Sequence, residues 1–455
     1  MKMMHKQILL ILFILLLSNN LNAQQVFLPT IKAKEDMDQL MQTFEKVHFN
    51  PFFKYSKKEI IHRKDSLLGL WTADSVSYKA FIKAGMQLTA MMSNGHSQFS
   101  WRNEKLLAEM LKHNYLPFIG KLNKNGAFVI THSMDSTLQK GMIIRSINGV
   151  SMNELFWESM SYTGGTDAFR NAYCEKLFPL LLFFSDKIQY PFQIQYSEAA
   201  YQLHDGVSLQ ELASFVNATV PQINYSFQMI DTEVGLISYN SCTDYKEFNK
   251  FLKSTFKKLR QENVNKLIID VRDNGGGDSR LNDLLLAYIT EQPYRQSSGR
   301  YWKVSSLSKE VYSNNPDFES IFGSTFMRNY MNTQNGEVIE ELAYELTYPK
   351  KPKYYFNGLS CVLIGPNTFS SANFLVDAIK TYQLSTLIGQ ASGEETNDFG
   401  ELLNFELNNS GQQVFISSTY DIGADGDSNR RSAVQPDINV KEGVLEFAIN
   451  WIKQQ

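Results

Sequence analysis

Two adjacent serines, Ser370 and Ser371, stand between the apolar run CVLIG (361–365) and a segment where Ala372, Leu375, Val376 and Ile379 recur at helical spacing. A hydroxyl at a strand-to-helix junction has two uses. It caps the helix by accepting a backbone N–H. Alternatively it stands exposed as a nucleophile, with the next residue's N–H facing the developing oxyanion. A cap needs only one serine. The G-x-S-x-G pattern of α/β-hydrolases is absent here, which disfavours that fold.

A serine nucleophile needs a base. Of the seven histidines, His5 lies in the N-terminal leader, and His48, His62, His113, His132 and His204 occupy helical, strand or polar contexts. His96 differs, because Asn94-Gly95-His96-Ser97 ends a helix at a glycine and puts the imidazole on a turn. A third feature is DVRDNGGG (270–277), a glycine run between an apolar strand and a helix. Its amides could hold an anion or a developing oxyanion, although a plain tight turn explains the glycines as well. It lacks the spacing of either nucleotide-binding fingerprint. No His/Cys/Glu cluster has metal-ligand spacing, so no metal or other cofactor is expected.

The elements that must position these residues fall into three regions. From about Phe27 to Lys112 the pattern is helical, with Met37, Leu40, Met41 and Phe44 on one stripe. The second region reads as a strand at Ala127–Ser133, then Lys140–Phe156 as strand, Asn148-Gly149 turn and helix start, a helical patch around Asp167–Phe184 and a strand at Gln189–Tyr196, and closes in a polar linking segment from Ser197 to Pro221. From about Tyr225 the order is strand, helix, strand, Gly-rich turn, helix, an α/β alternation. A helix over Tyr245–Gln261 turns Phe248, Phe251, Leu252 and Leu259 one way.

The bulk composition narrows the classes. A 455-residue chain with 43% hydrophobic residues can fill two or three cores, and a formal net charge of −3 without a basic patch disfavours nucleic acid as a partner. Residues 1–23 carry Lys2 and Lys6, an apolar run from Ile8 to Leu17 and a small residue at Ala23, the layout of a cleaved secretory signal peptide. The mature chain is therefore expected to be exported, periplasmic or extracellular, with no membrane span. Three cysteines, Cys174, Cys242 and Cys361, do not form a disulfide framework. Cys361, inside the apolar run, reads as a buried hydrophobe.

Taken together, the motifs resemble the tail-specific, or C-terminal processing, serine peptidases, in the branch similar to the tricorn protease core. HFNPFFKYSKKE (48–59) and MMSNGHSQF (91–99) resemble that family's opening helix and its Asp-Gly-His turn, and KGMIIRSINGVS (140–151) resembles the core of a PDZ-like module. VGLISYNS, KLIIDVRDNGGGDS, CVLIGPNTFSSANF, LIGQASG and AVQPDINV follow in the family's order. The resemblance implies a multidomain α/β protein: a helical region (24–112) carrying His96, a PDZ-like β-rich module with linker (113–224), and a crotonase-like α/β catalytic domain (225–455). It implies Ser370 as nucleophile, His96 as general base, and an oxyanion hole from the N–H groups of Ser371 and of Gly275 or Gly276. The expected partner is a peptide or unfolded protein, docked by strand addition on the PDZ-like module.

Three departures accompany it. Phe399-Gly400-Glu401 stands where the Ser-Lys branch carries its lysine, so Ser-His chemistry is expected. Arg430 and Arg431 stand where the tricorn-like branch places an acid, leaving Asp425 or Asp427 of the same loop as the third member. Asn94 replaces an aspartate. The two arginines motivate a second reading, a catalytically silent relative that binds peptides or small apolar ligands. A crotonase-like acyl-transfer enzyme is a third.

Overall fold

The computed structural model describes residues 27–455 except 124, 197, 199, 219–222, 316 and 317. The expected signal peptide lies outside the described residues. Among the described residues, no helix is long and apolar enough to cross a membrane.

The α/β alternation builds a six-stranded sheet. Tyr225–Met229 pairs antiparallel with Val234–Tyr239, and Lys266–Asp270, Leu359–Ile364, Thr386–Gly389 and Ile438–Asn439 continue it in parallel. Its inner strands are apolar on both faces, as a parallel sheet covered on both sides requires. Ile269, Val362, Ile364 and Leu387 face the helices Tyr245–Gln261, Arg280–Ile289 and Ser371–Tyr382. Ile268, Cys361, Leu363 and Ile388 face the C-terminal helix Val444–Gln454. Cys361 is thus the buried hydrophobe its sequence context implies, and all three cysteines are free.

The helix Tyr245–Gln261 shows how sequence sets an element. Asp244 caps it, accepting the Glu247 N–H at 3.1 Å, and Phe248, Leu252, Phe256 and Leu259 bury one stripe.

In the N-terminal region, helices span Thr30–Val47, Lys57–Leu68, Tyr78–Ala90 and Glu104–Lys112. The stripe Met37, Leu40, Met41 and Phe44 is buried as its spacing predicts. Two small sheets follow, one from Phe118–Leu122, Phe128–Ser133 and Ile143–Ile144, the other from Ser146–Ile147, Val150–Ser151, Phe192–Gln195 and Tyr201–His204. Asn148 and Gly149 both take positive φ, as the two-residue hairpin turn demands. The expected linking segment differs from expectation. It carries the strand Tyr201–His204 and a helix, Leu209–Ala218, because Leu209, Leu212, Ala213 and Val216 form a buried stripe that its polar average conceals.

A second, antiparallel sheet joins the two ends of the chain. Its order is Val338–Leu342, Gly299–Lys303, Gln413–Ile422, Asp398–Glu406, and the short strand Gln98–Phe99 pairs with Gln413–Ile422 through Phe99↔Val414 and Gln98↔Phe415. This pairing ties the turn at His96, in the helical region, to the antiparallel sheet.

Candidate active site

Three consecutive parallel strands end at one edge: Asp270, Ile364 and Gly389 are their last residues. The carboxyl ends of parallel strands are where open α/β sheets place their ligands. From these ends run the Gly-rich turn (274–277), the turn to Ser370, and the turn containing Glu394.

Ser370 is not a cap. It immediately precedes the helix Ser371–Tyr382, yet its side chain makes no capping bond, and its backbone sits at φ 56°, ψ −125°. A non-glycine residue held there costs about 1–3 kcal/mol, which the surroundings must supply. Several bonds do so. The Phe369 N–H donates to the Asn274 carbonyl at 3.0 Å, and Thr368 Oγ1 donates to the Val271 carbonyl at 2.9 Å. Ser371 Oγ donates to the Gly277 carbonyl at 2.7 Å, while Asn282 Nδ2 donates to the Ser371 carbonyl at 2.7 Å. The second serine thus ties the turn to the glycine run.

His96 reaches this hydroxyl across 274 residues of sequence, with Nε2 3.0 Å from Ser370 Oγ. On the ring's other side Nδ1 lies 3.0 Å from Glu394 Oε1. Glu394 is only 4% exposed, and its Oε2 accepts the Ser370 N–H at 2.5 Å. One carboxylate therefore bonds the backbone of the serine and stands within ion-pair distance of the ring. The turn bearing it is tight: a Cβ on Gly393 would stand 2.1 Å from the Pro366 carbonyl oxygen. Gly95 plays the same part for the ring, since a Cβ there would meet Phe369 at 2.7 Å. The His96 and Phe369 rings are 4.7 Å apart.

Electrostatics follow from this packing. Burial pulls the His96 pKa down, but the Glu394 charge and hydrogen bond, with Asp421 and Glu401 behind them, overcome it and leave it raised above the ordinary histidine value. Asn94 anchors the turn. Its Oδ1 accepts the Ser97 N–H at 2.7 Å and the Ser417 hydroxyl at 3.2 Å, and its Nδ2 lies 2.9 Å from His48 Nε2. His48 is fully buried, and burial together with the Lys303 charge pushes its pKa down to about 3, so its ring is neutral.

The acids expected from the 425–427 loop are elsewhere. Asp425 pairs with Arg430 at 2.6 Å, and Asp427 Oδ1 accepts the Asn429 N–H at 3.0 Å. Arg430 also pairs with buried Asp377 at 2.7 Å, and Arg431 with Glu395 at 2.7 Å, so this loop's charges are answered within the loop, on the helix Ser371–Tyr382 and beside the turn of Glu394. The acid behind the ring is Glu394, which sequence reasoning missed. The available signal was Gly393-Glu394-Glu395, directly after LIGQAS at the end of a parallel strand. Glu401, in the position of the absent lysine, pairs with Arg300 at 2.7 Å.

The glycine run lies within the same cluster. The Gly276 N–H donates to Asn274 Oδ1 at 2.9 Å, whereas among the described residues nothing is hydrogen-bonded to the Gly275 N–H. Among the described residues, no group of three or more His, Cys, Asp or Glu gathers to hold a metal ion.

Fold and family together define the class: a serine-type peptidase with a multidomain α/β architecture. Residues 233–440 match the model of peptidase family S41. Among solved structures, a point mutant of CPAF is similar at 14% identity and a TM-score of 0.67, over 93% of this chain and 97% of that one. Mature CPAF complexed with lactacystin is similar at 14% identity and a TM-score of 0.63, over 93% and 98%. The photosystem II D1 C-terminal processing protease matches at 11% identity and a TM-score of 0.45, over 92% and 97%. No curated protein matches the chain significantly.

Proposed function

We propose that this peptidase cleaves peptide bonds with Ser370 as nucleophile, His96 as general base and Glu394 as the acid that orients the ring. The observation that carries the reading is the line from Ser370 Oγ to His96 Nε2 at 3.0 Å and on from Nδ1 to Glu394 Oε1 at 3.0 Å. Neutral His96, with its Nδ1 proton toward Glu394, takes the hydroxyl proton as Ser370 attacks the carbonyl carbon. The carbonyl π electrons move to oxygen, and the N–H groups of Gly275 and Ser371 supply the oxyanion hole. The imidazolium then gives its proton to the leaving amine, and water repeats the sequence on the acyl-enzyme. Glu394 stabilises the imidazolium without taking its proton.

The substrate class is a peptide or unfolded protein, met by the PDZ-like module at residues 113–224, and the mature protein works outside the cytoplasm after loss of residues 1–23. The silent-relative reading rested on Arg430 and Arg431, and the carboxylate of Glu394 beside the ring supports the catalytic reading instead.

Hydrolysis of an unfolded protein substrate tests the proposal. Cleavage is expected from the mature chain and not from Ser370→Ala. Equal cleavage by that variant would remove Ser370 as nucleophile. Export is tested by the first residue of protein recovered outside the cytoplasm, expected to be Gln24.

A further inference from the structure

Behind the turn that carries His96 lies a cleft of about 240 Å³ whose chemistry the peptidase reaction does not use. Three cations line it: Lys54, Arg63 and Arg170. Among the described residues lining it, none is an aspartate or glutamate.

The charges are poorly answered. Arg170 is fixed in place by the Met160 and Thr163 carbonyls, which accept from Nε and Nη2, and it pairs with Asp167, an exposed carboxylate outside the cleft, at 3.1 Å. Arg63 Nη2 donates to Gln87 Oε1 at 3.4 Å, and Lys54 Nζ lies 5.9 Å from the Tyr55 ring centre. Neither has a carboxylate partner among the described residues. Tyr55 and Ser93 also line it. Like charges gathered around one cleft repel one another, and an anion held between them offsets that cost.

The cleft's wall is thin. Gly164 lines it, and a Cβ there would stand 2.7 Å from the Asn94 carbonyl oxygen, so cleft and His96 turn lie back to back.

We propose that this cleft is an oxyanion-binding site, taking a carboxylate or phosphate group between Arg63, Lys54 and Arg170. Binding here does not depend on Ser370 being the nucleophile, so failure of either idea is distinguishable from failure of the other.

Calorimetric titration of the full chain at constant ionic strength tests it with three probes: inorganic phosphate, acetyl-trialanine with a free carboxylate, and its C-terminal amide. Saturable binding of phosphate alone assigns the site to phosphate. Binding of the free carboxylate but not of the amide assigns it to a peptide end. The double variant Lys54→Gln/Arg63→Gln, changed at two surface positions outside the catalytic cluster, should weaken either ligand about tenfold or more. No saturable binding by phosphate or carboxylate, or undiminished binding by a double variant with an unchanged melting temperature, overturns the proposal.

Discussion

Glu394 grips Ser370 directly: its Oε2 accepts the serine's backbone N–H, while its other oxygen lies 3.0 Å from His96 Nδ1. The acid that orients the base therefore also steadies the positive-φ backbone on which the hydroxyl is displayed. Removing it should disturb both groups at once.

For Glu394→Gln the expected loss of kcat is between about a hundred- and ten-thousand-fold, the range for an orienting acid replaced by an amide. Steady-state kinetics check this. A loss under about threefold would deny Glu394 the role.

The pH profile has a fixed direction. Only the neutral imidazole accepts the hydroxyl proton, and the Glu394 charge helps raise the His96 pKa despite burial. The acid limb of kcat/KM should therefore lie above 6.5, with activity rising as pH rises through it. The charged ring's contribution to stability runs the opposite way, being complete below 6.5 and lost as pH rises through the folded value. An acid limb below 6.5 would contradict the arrangement.

Asp425 and Asp427 offer a contrast. Asp425→Asn and Asp427→Asn should leave kcat within about threefold of the parent, since neither acid contacts the ring. Arg430→Ala should instead act on stability. It leaves Asp377, 1% exposed, without its cation, and a urea melt should show a loss of at least about 2 kcal/mol. A collapse of kcat in the folded Asp427→Asn variant would return the third acid to this loop.

Gly393→Ala tests the tight turn. Its Cβ would stand 2.1 Å from a backbone oxygen, so the chain must shift, at a cost of about 1–3 kcal/mol, and Glu394 must move with it. Lower kcat with little change in KM is expected.

Much of the site was legible because each signal was local. A strand, two serines and an apolar helical stripe mark the 370–371 junction and a glycine-histidine turn sets His96 apart, while the choice of Ser370 over Ser371 and the pairing with His96 came from the family resemblance. The third acid was not legible. Arginines occupied its expected place, and only the parallel pairing of Thr386–Gly389 with Leu359–Ile364 brings the turn of Glu394 beside Ser370. The register of the glycine run was equally hidden, because the side chain of Asn274 decides which N–H is engaged. The helix Leu209–Ala218 escaped for a different reason: its buried stripe lies in a segment whose average composition is polar.

The most direct measurement is mass-spectrometric mapping of a fluorophosphonate adduct on the mature protein. The account predicts one adduct, on Ser370, lost in Ser370→Ala and strongly slowed in His96→Ala. An adduct on another serine, or labelling of His96→Ala at the parent's rate, would contradict it.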